Sequence, residues 1–442
     1  MQYLTLTGLA LATRAWTTVV GALVAYTIAN QILPQLQGYY YLFNSLLLLQ
    51  ALGELGLVPI IVNLLSHESS NTRVTRDGLI SNDSAARGRV WSMCFFVMRW
   101  FSLATIFIVV LLALVGLFFI GADQDGNVDI ARIRLQWFVL LFFAAGNFFL
   151  NPIWSILEGL NELNNAYLGK FLVTVFSSSA LFISIQFGLE LWSLAIAQAV
   201  AFLLTLFLLL MKYKTFLTDI FTRDPNHAKR VNWRKDILPF QWRVGVSWIS
   251  GYFSFSCVVP IIFYFKGAVM AGQFGLTMVI ANTIVALSSS VLAPRTYIFG
   301  VLASAREFTR LDRVFFRTVI LLLVLAIFFS MAAYFFVIFL IDLYPKLGSR
   351  LVSNESFKWL LFLGFCNSVA QPVGVYVRAH KEEPLFLLSV ATGFLVLVSS
   401  SLTSLYCSEQ TISAVYSLVI FFSGLSAWGM FFKFRASNHK RC

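Results

Sequence analysis

The chain is built from apolar blocks too long and too continuous to be the core strands or helices of a soluble domain. Phe101 to Ile120, Phe171 to Phe187 and Val319 to Ile341 each run without a charged residue. A bilayer core calls for roughly 20 apolar residues per helix, and blocks of this length meet that demand. In lipid, every backbone polar group has to be satisfied within a helix or a closed barrel. Barrel strands alternate apolar and polar residues with period two; these blocks do not, so they are helices. Composition agrees: 59% of the 442 residues are apolar and 12% charged, against about 45 to 50% and about 25% in soluble chains.

Hydropathy places about twelve spans, at roughly 8 to 33, 39 to 65, 93 to 120, 135 to 158, 169 to 189, 192 to 213, 244 to 265, 272 to 293, 317 to 341, 357 to 377, 384 to 406 and 411 to 433. The first carries Arg14 and runs on to Leu33-Pro34 with no small-residue cleavage site, so it is expected to be retained rather than removed as a signal. With both termini cytoplasmic, the great majority of the 32 Lys and Arg fall on the cytoplasmic side, as the resistance of positive residues to translocation requires. The net charge of +12 is then a topology signal, and nucleic acid is not an expected partner.

The longest hydrophilic stretch divides the chain into an N-lobe (1–213, spans 1 to 6), a basic cytoplasmic linker (214–243) and a C-lobe (244–442, spans 7 to 12). The linker residues Arg223, Lys229, Arg230, Arg234 and Lys235 read as a solvated topology determinant, with contact to anionic headgroups as the alternative. The expected fold is an all-α integral membrane protein of two six-helix lobes. Spans 4 and 10 align without a gap: Asn147 with Asn367, Pro152 with Pro372, Glu162 with Glu382. Triple serines, Ser177-Ser178-Ser179 and Ser399-Ser400-Ser401, mark both fifth spans. Parallel six-helix repeats that rock about a midplane cavity are a known transporter plan.

A charge inside the bilayer costs roughly 2.5 to 3.5 kcal/mol even on insertion scales, so each one needs a reason. Glu54, in the middle of span 2, either locks that helix to a neighbour or serves in proton coupling or substrate gating. Arg14 and Arg99 either snorkel to the inner interface or face a cleft and hold phosphate, which a guanidinium fork suits. Arg243 opens span 7, where topology accounts for it. Asn147, Asn151, Ser155 and Glu158 share one face of span 4, and Asn367, Gln371, Gly374 and Arg378 share one face of span 10. These stripes are interhelical glue, or they line a hydrophilic cavity for a sugar-bearing substrate with Glu158 and Arg378 as an inner gate pair. Pro59, Pro152, Pro260 and Pro372 fall within spans as expected bending points.

No phosphate-binding Gly-rich loop and no His/Cys metal cluster is evident, so neither a metal nor another cofactor is expected. Cys94, Cys257, Cys366, Cys407 and Cys442 lack ligand spacing and read as packing residues. The short external loops leave little room for the catalytic loop of a membrane polymerase, so an enzyme is the weaker class.

Several motifs carry a resemblance. Gly38-Tyr39-Tyr40-Tyr41-Leu42-Phe43 opens span 2, Glu54-Leu55-Gly56-Leu57 lies within it, and Gly272-Gln273-Phe274-Gly275-Leu276 opens span 8. Glu158-Gly159-Leu160-Asn161 follows span 4 and Arg378-Ala379-His380-Lys381-Glu382-Glu383-Pro384 follows span 10. With these, the whole chain resembles the polysaccharide flippases (O-antigen, Wzx-type) of the multidrug/oligosaccharidyl-lipid/polysaccharide exporter superfamily. The resemblance implies a V of two lobes and a cavity formed by spans 1, 2, 7 and 8. It also implies transfer of an undecaprenyl-diphosphate-linked oligosaccharide from the inner to the outer leaflet of a bacterial inner membrane, as in lipopolysaccharide biosynthesis. Expected partners are that lipid-linked oligosaccharide, membrane lipids and other polysaccharide-assembly proteins, with a proton or sodium gradient as the candidate energy source. Related lipid flippases place span 1 arginines in the cavity, which favours Arg14 as a diphosphate ligand. Span 8 departs from a basic cavity because it holds no charge between Gly272 and Pro294, leaving neutral groups such as Asn282 to contribute. The alternatives are a multidrug or cation antiporter of the same superfamily, for which Glu54 is the one central carboxylate, and a membrane glycan polymerase.

Overall fold

The computed structural model describes residues 2–68, 72–75, 78–81, 84–122, 129–222, 238–380 and 383–439. It is all-helical apart from a two-stranded antiparallel hairpin, Thr72–Thr75 with Gly78–Ser81, that hydropathy had no means to register. The helices are α1 (Gln2–Gln31), α2 (Pro34–Leu47), α3 (Ala51–Glu54), α4 (Leu57–Glu68), α5 (Ser84–Gly121), α6 (Ile130–Gly159), α7 (Leu163–Gln186) and α8 (Trp192–Thr222). They continue as α9 (Leu238–Phe255), α10 (Val258–Lys266), α11 (Ala268–Ser288), α12 (Ala293–Ser304), α13 (Phe308–Leu343), α14 (Pro345–Gly348), α15 (Asn354–Ala379), α16 (Phe386–Tyr406) and α17 (Glu409–His439).

Among the described residues, ten helical segments are long and apolar enough to cross a membrane. Helix α1, at 30 residues, is also long enough to span. The second expected span falls outside that set for a physical reason. Span 2 is broken: α2 tightens into a 3₁₀ turn at Leu48–Gln50, α3 lasts four residues, and Leu55 and Gly56 both take positive φ (45° and 67°) before α4 resumes. Span 8 repeats the device, with a 3₁₀ turn at Ser289–Val291 between α11 and α12. Prolines do not mark these breaks. Pro59, Pro260 and Pro294 instead sit in the first turns of α4, α10 and α12, where a missing N–H costs nothing; Pro152 and Pro372 lie inside the continuous α6 and α15.

Two compact units are present, but they do not follow chain order. The first comprises Met1–Ile32 and Leu46–Ile249, the second Leu33–Ser45 and Ser250–Cys442. The division expected at 213 and 244 therefore shifts: α8 extends to Thr222, and the opening of span 2 belongs with the second unit. Residues 223–237, with all five basic linker residues, lie outside the described set.

Glycines explain the exchange. A Cβ on Gly38 would stand 2.0 Å from the Ala268 carbonyl oxygen, and one on Gly272 would stand 2.8 Å from the Gly38 nitrogen, so α2 and α11 meet backbone to backbone. Gln37 Nε2 donates to the Gly272 carbonyl at 2.9 Å and to that of Arg350 at 3.2 Å, and the Tyr39 ring meets Phe263 edge-on at 5.0 Å. The openings of spans 2 and 8, noted separately in the sequence, are one joint. In the first unit Gly245 of α9 fits against Leu55 in the same manner, with its Cβ position 3.0 Å from Leu55 Cδ2.

Each unit has its own core. Phe101, Phe148, Trp154 and Phe216 centre the first; Phe299, Phe315, Tyr376 and Phe431 centre the second. Cys94, Cys257 and Cys366 are free and buried, and Cys407 is free and half-buried.

Gly38→Ala should destabilise the purified protein by about 3 kcal/mol or more, because the clash is with backbone that cannot rotate away. Gly429→Ala, where an added Cβ meets nothing within 4 Å, should be neutral or slightly stabilising. Thermal unfolding in detergent, followed by intrinsic fluorescence, makes the comparison; equal midpoints would show that the α2–α11 joint is not tight.

Candidate functional site

The carboxylate in the broken second span, Glu54, comes first. The residue ends α3, immediately before the left-handed Leu55. A non-glycine residue in that conformation costs on the order of 1 to 3 kcal/mol, so neighbours must hold it. Trp100 of α5 donates its indole N–H to the Gly53 carbonyl at 3.0 Å, and Asn151 of α6 donates Nδ2–H to Glu54 Oε1 at 3.1 Å. The carboxyl is thus a lock between span 2 and span 4.

Asn147 and Glu158 of the α6 stripe are committed in the same way. Asn147 Nδ2 donates to both the backbone and side-chain oxygens of Gln198 on α8, at 2.9 and 2.7 Å. Ser155 is buried, and Glu158 forms an ion pair with Lys170 of α7. The Glu158-Gly159-Leu160-Asn161 motif is a helix end: Asn161 takes φ 65°, and Gly159 lets Leu65 approach.

The matching stripe on α15 behaves differently. Asn367 is half-buried and Gln371 exposed, and beyond Gly374 the Arg378 guanidinium is exposed. Arg378 Nε donates to Glu383 Oε1 at 2.8 Å. The expected gate residues Glu158 and Arg378 therefore each have a partner within their own unit. On α11, a Cβ at Gly364 would come 2.9 Å from the Ala281 carbonyl oxygen, and the next residue, Asn282, is exposed with Ala286 and Ser290.

Helix α1 carries Arg14 on its exposed side. Trp16 donates Nε1–H to Ser178 Oγ on α7 at 2.9 Å, and Gln31 Nε2 donates to Gln186 Oε1 at 2.6 Å, fixing the rotation of the helix. Two residues turn a helix by about 200°, so Arg14 points away from α7. It shares its face with Thr17, Thr18, Gly21 and Ala25, at steps of three, four, seven and eleven. Both threonine hydroxyls donate to the Arg14 carbonyl at 2.9 Å, and a Cβ on Gly21 would meet nothing within 4 Å. The large exposed apolar residues of α1, Val19, Leu23 and Tyr26, lie on another side.

Arg99 has the opposite setting. It is exposed in line with Leu103, Ile106 and Val110, an apolar stripe of α5. The 22 steps from Arg99 to Gly121 rise about 33 Å, so the exposed Arg99 stands a full hydrocarbon thickness from the other end of α5. The side chain of Arg243 lies outside the described set.

The sequence missed one buried charge cluster. Asp312 of α13 accepts from the Tyr376 hydroxyl at 2.8 Å and from Arg435 Nε at 2.7 Å, while the Arg435 guanidinium lies over the Phe316 ring. It ties α13, α15 and α17 together at one end of the second unit. Asp312 and Arg435 sit just outside the apolar windows, so hydropathy assigned both to loops. Among the described residues no three His, Cys, Asp or Glu side chains are placed to hold a metal.

No protein-family profile and no curated protein matches the sequence. Solved structures do match, along nearly the whole chain. An inward-facing multidrug resistance MATE family transporter of the MOP superfamily aligns with TM-score 0.65 and 14% identity over 96% of each chain. The lipid II flippase MurJ, in an inward closed conformation, aligns with TM-score 0.66 and 10% identity over 96% of this chain and 86% of its own. A variant of the Vibrio cholerae MATE transporter VcmN aligns with TM-score 0.58 and 14% identity over 99% and 97%. The chain has the fold of MOP-superfamily transporters. That fold is shared by a multidrug resistance transporter and a lipid flippase.

Asn147→Leu should cost about 1 to 3 kcal/mol by stranding the Gln198 amide. Gln371→Leu should leave stability within about 0.5 kcal/mol. Thermal aggregation followed by size-exclusion chromatography reads both, and equal losses would contradict the division between a committed and a free stripe.

Proposed function

We propose that the chain is a flippase for a polyprenyl-diphosphate-linked oligosaccharide, an O-antigen or other polysaccharide repeat unit, in a bacterial inner membrane. The observation that carries the reading is the chemistry of the exposed helix faces. They present an arginine on a threonine and glycine face (Arg14) and carboxamides (Asn282, Gln371, with Asn367 half-buried). Meanwhile the carboxylates Glu54, Glu158 and Asp312 all have partners of their own. Carboxamides both donate and accept, matching sugar hydroxyls, and a guanidinium fork matches a diphosphate. Polar side chains exposed at membrane depth belong to a watered path rather than to acyl chains.

Alternating access in this reading needs no cofactor, and a proton or sodium gradient supplies the work. Glu54 is the group in the spans best suited to carry a proton, since it sits at the break of span 2 and its protonation would weaken the Asn151 bond. The rival reading, a multidrug or cation antiporter, draws on the same carboxyl and on the MATE-like fold.

Arg14→Ala should reduce surface glycan at least tenfold at unchanged protein level, with partial recovery in Arg14→Lys. Normal glycan display would remove Arg14 from the mechanism. Loss of the gene with intact glycan and raised sensitivity to cationic drugs would instead establish the antiporter. Glu54→Gln keeps an acceptor for Asn151 and removes the titrating proton; transport that persists and loses its pH dependence would identify Glu54 as the coupling group.

A further inference from the structure

A groove of about 830 Å³ lies between α12 and the end of α15, within the second unit. Thr296, Tyr297, Val301 and Ser304 line one side, and Val375 and Arg378 the other; the Thr296 and Ser304 hydroxyls already donate to the Leu292 and Gly300 carbonyls, which leaves the Tyr297 hydroxyl and the Arg378 guanidinium as donors. We propose that this groove binds the phosphate headgroup of an anionic membrane lipid of the cytoplasmic leaflet, whatever the transporter carries.

Three features point to that ligand. Arg378 gives Nε to Glu383, which fixes the plane of the guanidinium and leaves its two terminal nitrogens as a fork, the geometry that phosphate accepts. The stretch of chain that includes α12 is basic: from Arg295 to Arg317 it carries five arginines against Glu307 and Asp312, and Asp312 is taken by Arg435. The third feature separates a lipid from a free anion. Tyr297, Ile298 and Val301 of α12 are 77%, 41% and 47% exposed, a surface suited to the interfacial zone where aromatic rings and headgroups mix. Charge distribution assigns this end of α15 to the cytoplasm, where anionic lipids attract basic segments.

The groove can be filled without touching its polar groups. Gly300 forms part of its lining, and a Cβ there would meet nothing within 4 Å, so Gly300→Leu occupies the space while every hydrogen-bonding group stays. Native mass spectrometry of the full-length protein, equilibrated with equimolar phosphatidylglycerol and phosphatidylcholine, provides the test. The unmodified chain should retain phosphatidylglycerol at least tenfold over phosphatidylcholine. Gly300→Leu and Arg378→Gln should each cut that retention about tenfold, and Lys358→Gln, about 30 Å away at the other end of α15, should leave it unchanged. Equal retention of the two lipids by the unmodified chain overturns the proposal. So does undiminished retention in Gly300→Leu, or displacement of the bound lipid by millimolar inorganic phosphate alone, which would mark a free-anion site. Should either variant fail to fold, the preference of the unmodified chain still decides.

Discussion

A helix can be interrupted inside a bilayer only where protein supplies the hydrogen bonds that water would otherwise make. The break between Leu48 and Gly56 meets that condition through Trp100 at the Gly53 carbonyl and Asn151 at Glu54. Much of the first unit follows from it. Span 4 must present an asparagine at one depth, α5 must bring an indole to the same level, and Gly53 must stay bare because a Cβ there would stand 2.7 Å from the Phe148 ring. Gly245 of α9 then fits against Leu55, the residue with the strained backbone. A polar cluster that reads as a candidate site in one dimension is first the reinforcement of a broken helix.

The two polar stripes show where sequence reasoning stops. Asn147 and Asn151 have the same spacing as Asn367 and Gln371, and periodicity treats them alike. What separates them is the partner across the gap: Gln198 and Glu54 reach the first stripe, whereas Gln371 stays exposed. Neither partner is near its asparagine in the chain, so no local pattern announces the pairing. The same applies to Asp312 and Arg435, 123 positions apart.

Other features were legible because their cause is local. Membrane-spanning helices follow from block length and the solvent demands of lipid. The motif glycines were visible as motifs, but their reason appears only in three dimensions: Gly38 and Gly272 lie far apart in the chain and touch through their backbones. Hydropathy also trimmed the helices. It registers the lipid-solvated stretch, so α5 was expected from 93 and begins at Ser84, and the linker lost its first nine residues to α8. Arg99 and Arg14 looked equivalent until the rotation of each helix was fixed by its neighbours.

The exchange of Leu33–Ser45 into the second unit bears on biogenesis. This segment leaves the ribosome more than two hundred residues before α11, whose glycine it must meet. During synthesis Gly38 therefore emerges well before the helix it packs against. Domains elsewhere fold as successive units from the amino terminus; here a chain severed at the linker would leave each fragment without a piece of its own architecture, the first without the residues up to Ile249 and the second without Leu33–Ser45.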